Sequence, residues 1–159
     1  MGAVFRWVKY IYEWCKDFAV GGLGYPTEYH VSKDGNDDNN GLSWSKAFLT
    51  IQAGLDAVGA LGLTKRGVVN VAPGSYTESL NTPLDTVARY GKLVGAGLTE
   101  KGEDVVITSA AVGVATITVR ARGWRISNLM INCPTAEAGI KLDNTSDDCN
   151  ASYSEIDHC

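Results

Sequence analysis

Apolar residues in the second half of the chain return at a constant stride. Val71, Val94, Ile117 and Ile140 stand 23 residues apart. Each sits in a short run with strand character: Val68-Val69-Asn70-Val71-Ala72, Lys92-Leu93-Val94-Gly95, Ala115-Thr116-Ile117-Thr118-Val119 and Gly139-Ile140-Lys141-Leu142. Apolar and polar side chains alternate, most clearly in the third run, as a strand with one buried face requires. A fixed period between about 20 and 50 residues predicts stacked units, none able to bury its apolar face alone. Units this short leave little room for helices, so the prediction is a coil of parallel strands. A looser series, Ile107, Ile131 and Ile156, spaced 24 and 25 apart, predicts a second face of that coil.

The N-terminal pattern is different. Val4, Trp7, Ile11, Trp14 and Phe18 follow spacings of three and four, with Arg6, Lys9, Glu13 and Lys16 opposite. That predicts an amphipathic helix over residues 1–20 whose apolar stripe is too aromatic to be left wet. Three fates fit such a stripe: packing on its own domain, lying on a lipid surface, or meeting copies of itself or another protein. The last is the reading taken here, with these five residues as the partner or oligomer interface. Two and a half heptads do not hold a coiled coil unaided, so a larger partner surface is implied. Residues 21–28, opening with Gly21-Gly22-Leu23-Gly24, form a glycine-containing joint.

Between the joint and the strands, Tyr29-His30-Val31-Ser32 predicts a strand, and Asp34 to Gly41 a polar turn. Thr50 is placed to N-cap a helix. Ile51, Leu55 and Val58 share one face of it, and Gly59 and Gly62 close it.

These segments resemble a known family. Tyr29 to Asp37, Asn40 to Ser43 and Ala47 to Leu55 resemble the opening segment of pectate-lyase-like right-handed parallel β-helix proteins. Val69 to Glu78 resembles their first-turn strand, and Ile126 to Cys133 one of their later coils. The resemblance covers residues 29–159. It implies an all-β fold, a right-handed parallel β-helix (solenoid) with a capping helix over Ile51 to Val58, besides the separate N-terminal amphipathic helix. The pattern stops inside a strand at Ile156-Asp157-His158-Cys159, so the expectation is the start of a longer protein, truncated at its C-terminal end. The architecture serves lyases, hydrolases, epimerases and virus tailspikes alike, so fold alone does not give function.

Composition narrows the classes. Hydrophobic residues make up 45% and charged residues 20%, as in a soluble globular chain. The formal charge of −4 and the absence of a basic run longer than Lys65-Arg66 speak against a nucleic-acid partner. No segment reaches the roughly 18 consecutive apolar residues of a membrane span. Arg6, Lys9 and Glu13 interrupt any signal-peptide core, and Arg6 stands where myristoylation wants Ser or Thr. Cys15, Cys133, Cys149 and Cys159 form neither a disulfide framework nor a zinc pattern. They read as reduced thiols, with Cys133 packed in or near the core. A metal site of His158, Cys149 and Cys159 has poor ligand spacing.

Candidate chemistry is sparse. Asn36, Asp38, Asn40 and Gly41 partly match a calcium loop, but Ala47 stands where its last carboxylate belongs, and a turn of Asx side chains explains the composition. Asp143, Asp147, Asp148, Glu155 and Asp157 lie on neighbouring runs, as a glycosidase pair requires, and as solvated turn residues also do. A lyase, by the resemblance, needs an arginine base beside calcium-binding carboxylates. Arg120, Arg122 and Arg125 have no acidic cluster in their own segment. His30 and His158 lack a nucleophile motif. Trp44, Tyr76, Tyr90, Trp124 and Tyr153 are candidates for stacking on sugar rings or for core packing. No catalytic residue, metal or cofactor is assigned, and enzymatic activity is left open, with a non-enzymatic reading preferred for the 159 residues present.

The functional expectation is a structural virion protein, the N-terminal particle-attachment part of a bacteriophage tail fibre or tailspike. Its partners are other virion proteins, met through the helix, and a host surface polysaccharide. A homotrimer is implied by the resemblance to tailspikes. Its place is the virion, after synthesis in the host cytoplasm. The alternative is a polysaccharide lyase or glycoside hydrolase whose catalytic coils lie beyond residue 159. An adhesin of the cell surface is disfavoured by the missing signal.

Overall fold

A computed structural model describes residues 25–97, 105–133, 137–145, 148 and 150–159. The predicted helix over 1–20, with Val4, Trp7, Ile11, Trp14 and Phe18, lies outside the described residues, as does the first half of the joint.

The first strand begins two residues earlier than expected. β1 (Thr27–Val31) leads through the acidic loop to α1 (Ile51–Ala60). Then come β2 (Gly67–Val71), β3 (Gly74–Thr77), β4 (Leu80–Asn81), β5 (Lys92–Gly95), β6 (Val105–Thr108) and β7 (Ile117–Val119). β8 (Arg125–Ser127), β9 (Met130–Asn132), β10 (Ile140–Leu142) and β11 (Glu155–Asp157) follow among the described residues. They form three sheets, ordered β1-β2-β5-β8-β11, β3-β6-β9 and β4-β7-β10. Every pairing is parallel.

The expected class is corrected by this arrangement. An all-β right-handed parallel β-helix is not shown: the described residues hold three separate parallel sheets of short strands together with one α-helix. The helix buries Ile51, Gly54, Leu55 and Val58 in the same core as the strands, so the class is mixed. The 23-residue stride also fails as a single column. Val94 pairs with Asn70 rather than Val71, while Ile117 and Ile140 pair with each other in a different sheet. The looser series splits likewise, since Ile107 pairs with Ile131 but Ile156 with Ile126. Connections of unequal length let a constant spacing in sequence fall on different sheets.

The real columns come from register. Tyr29, Val69, Leu93 and Ile126 are neighbours across the largest sheet, and all are buried. Tyr76 and Ile107 stack in the second sheet, Leu80 and Ile117 in the third. Their faces, with the helix, remove one continuous apolar surface from water, the main force holding the fold.

The acidic loop works at the start of α1, where orphan N–H groups need acceptors. The Thr50 hydroxyl accepts from the Ala53 N–H at 3.2 Å, as predicted for the N-cap. Glu78 accepts from the Ile51 and Gln52 N–H groups at 3.1 and 3.0 Å. Asp37 accepts from the N–H groups of Leu49 and Thr50 and from the Thr50 hydroxyl. Two carboxylates thus sit at the positive end of the helix, where charge is favoured. Asn36 and Asn40 close Asx turns on Asp38 and Leu42, which accounts for the loop's composition. Glu78→Ala is expected to lower stability by about 1.5 kcal/mol, as a lower urea midpoint at unchanged slope.

Among the described residues no helix is long and apolar enough to cross a membrane.

Candidate ligand-binding corner

Of the five aromatic candidates, Trp124 and Tyr76 are buried, while Trp44, Tyr90 and Tyr153 are exposed. Trp124 is fully buried, with its ring against Gly91, where a Cβ would stand 2.6 Å from the indole. Tyr76 is also core; its hydroxyl donates to the Ala72 carbonyl at 2.9 Å. Burial first, and then the charges of Glu78 and Asp34, push that phenol up to about 12. Trp44 packs edge-on against His30, with 4.5 Å between centroids. Tyr90 and Tyr153 are exposed, and both adopt left-handed backbone, at φ 57° and 60°. For bulky residues that conformation is an outlier, worth explaining where it occurs twice.

Register shows that the two occurrences are one feature. Lys92, Arg125 and Glu155 are partners across β5, β8 and β11, so Tyr90, Gly123 and Tyr153 hold equivalent places two residues earlier. The Tyr90 N–H donates to the Arg122 carbonyl at 3.0 Å, and the Gly123 N–H to the Ser152 carbonyl at 2.9 Å. Gly123 has φ 69°, completing a column of three left-handed residues. Its missing side chain matters: a Cβ would fall 2.2 Å from the Tyr90 ring, which lies where that atom would be.

On β2 the equivalent place is Arg66, beside Tyr90, and on β1 it is Pro26. The Arg66 guanidinium lies 5.4 Å from the Tyr90 ring centroid, a cation–π contact. Tyr25, Pro26, Arg66, Tyr90 and Lys92 line a cavity of about 270 Å³. Tyr25 is fully exposed, so the corner carries three solvent-facing phenol rings, Tyr25, Tyr90 and Tyr153. Flat apolar ring faces beside fixed hydrogen-bond donors suit a ligand with planar apolar patches and many hydroxyls.

The other candidates are spent on structure. Arg122 and Arg89 hold Asp85, whose side chain is only 2% exposed. Burial alone raises the Asp85 carboxyl, but hydrogen bonds from the Arg122 backbone and guanidinium, with the Arg89 and Arg122 charges, hold it below its ordinary value. Arg120 donates to the Thr82 carbonyl at 2.8 Å. Arg125 forms ion pairs with Asp157 and, at 3.9 Å, with Glu155. Those two carboxylates share the outer face of β11, while Asp143 accepts from the Thr145 N–H and Asp147 lies outside the described residues. Asp85 itself carried no sequence signal, because its partner Arg122 lies 37 residues away.

Cys133 corrects another expectation: it is exposed, not packed into the core, and lies one residue past the end of β9. Cys159 is exposed as well, and Cys15 and Cys149 lie outside the described residues. His158 lies 3.6 Å from Asp157. Among the described residues no three His, Cys, Asp or Glu side chains gather as metal ligands.

No family model matches this sequence, and no curated protein or solved structure matches it either.

Proposed function

We propose that the chain is a structural virion protein, the N-terminal particle-attachment part of a bacteriophage tail fibre or tailspike, and that it recognises a glycan of the host surface. The observation that carries the glycan reading is the pair of solvent-facing tyrosines, Tyr90 and Tyr153, held in left-handed backbone on one corner. Strain of this kind persists where surrounding structure enforces it and function uses it. Particle attachment rests on the aromatic stripe Val4, Trp7, Ile11, Trp14 and Phe18 in the sequence. The homotrimer rests on the resemblance of residues 29–159 to tailspikes.

The test separates the two halves. Tyr90→Ala and Tyr153→Ala are each expected to weaken glycan binding about tenfold with the melting temperature unchanged. Binding unaltered in both variants removes the glycan role from this corner. Deleting residues 1–22 is expected to abolish incorporation into particles while leaving the protein soluble. Normal incorporation of that deletion ends the attachment role.

A second reading, a glycan-cleaving lyase or hydrolase, draws on Glu155 and Asp157 beside Arg125. Both carboxylates are already engaged by that guanidinium, so the binding role is preferred.

A further inference from the structure

The cavity at this corner is lined by two cations and by no carboxylate. Among the described residues Arg89, Arg122, Arg125 and Lys141 have carboxylate partners within 4 Å, while Lys33, Lys46, Lys65 and Arg120 have none and lie outside this cavity. Arg66 and Lys92, which line the cavity with Tyr25 and Tyr90, have none among the described residues. In a chain with a formal charge of −4, carboxylates are plentiful. Two cations left without one in the same concavity are therefore poised for an anion from outside.

We infer that the glycan captured at the Arg66, Tyr90 and Lys92 cavity is an acidic one, whose sugar carboxylate is taken by the two cations while ring faces lie on the tyrosines. This rests on the glycan reading above and adds the chemical class of the ligand. The Arg66 guanidinium offers a planar fork that matches a carboxylate, and Lys92 a compact second charge. Tyr90 keeps the guanidinium over its ring, which limits the orientations the fork samples before a ligand arrives. The corner continues past the cavity. From β1 to β11 it crosses four strand spacings, about 19 Å, so an extended chain of sugars fits better than one ring.

Single-stranded nucleic acid also combines negative charge with stacking rings. The row of outward residues across the sheet argues against it. Glu28, Val68, Lys92, Arg125 and Glu155 are successive partners, so a carboxylate stands at each end. A phosphodiester chain with a charge at every unit would run into both. A glycan whose acid groups are spaced apart sets one on the cations and neutral sugars elsewhere.

The experiment titrates the full chain with sialylated, glucuronate-containing and neutral oligosaccharides of equal length, and with a single-stranded oligonucleotide. Binding of an acidic set, weakened by added salt and about tenfold by Arg66→Gln or Lys92→Gln, supports the inference. Both side chains are exposed, so the variants should fold; unchanged melting temperatures check this. Neutral sugars bound as tightly, with no effect of either variant, overturn the acidic class and leave glycan recognition standing. Preference for the oligonucleotide, or no glycan bound at all, overturns both.

Discussion

Replacing Asp85 by alanine is expected to lower the stability of the fold by about 3 kcal/mol. Its carboxylate is almost wholly out of water and accepts from the Arg122 N–H at 2.9 Å, the Arg122 guanidinium at 3.1 and 2.9 Å, and Arg89 at 3.1 Å. Alanine leaves the Arg122 N–H without its acceptor beside the core, and two cations face each other across the gap. Their side chains are a third exposed and can turn towards water, which keeps the loss at the lower end for a broken buried pair. The bond also joins the segment after β4 to the one before β8, so its loss loosens both. Urea unfolding measures the effect, and a loss below about 1 kcal/mol contradicts it.

The same carboxylate sets a pH dependence. Its folded value lies below the unfolded 3.8, so the stabilisation is complete above that value and is lost as pH falls through the folded one. Wild type should therefore weaken steeply below about pH 4, and Asp85→Asn should flatten that part of the profile.

Gly95→Ala is expected to cost about 3 kcal/mol, or to prevent folding altogether. Gly95 ends β5, and a Cβ there would lie 1.9 Å from the carbonyl oxygen of Asn128, the residue just past β8. That atom is main chain directly after the β5–β8 ladder, which ends at Val94 and Ser127, so it cannot swing aside as a long side chain would. Relief requires the strands to separate where Leu93 and Ile126 stack in the core. Gly139→Ala is the control. Its Cβ would meet the Ile131 side chain at 3.4 Å and Cys133 at 3.7 Å, ordinary contacts, and its stability should stay within about 0.5 kcal/mol of wild type. Equal melting temperatures for the two variants contradict the close approach.

Local signals were legible in the sequence wherever neighbours in the chain settle the structure. The cap at Thr50 and the buried face Ile51, Leu55 and Val58 were both readable, because one helical turn contains the whole argument. Strand character around Val69, Leu93, Ile107, Ile117 and Ile126 was readable from alternation. Column membership was not. Whether Val94 lies beside Asn70 or Val71 depends on a register set by the connections, and one residue of slip moves a side chain to the other face. The class went wrong for a related reason, since a regular stride says nothing about which sheet each strand joins. Asp85 and the Arg66–Tyr90–Gly123 contact were hidden because each joins distant segments. Tyr90 and Tyr153 stood among the candidates, but their left-handed backbone leaves no trace in composition.

That backbone carries a consequence for anyone reshaping the molecule. Asparagine occupies the left-handed well with less strain than tyrosine, so exchanging Tyr90 or Tyr153 for it relieves the main chain while discarding a ring. A search guided by heat resistance alone would be drawn to these two positions, and would return hardier proteins stripped of both exposed rings.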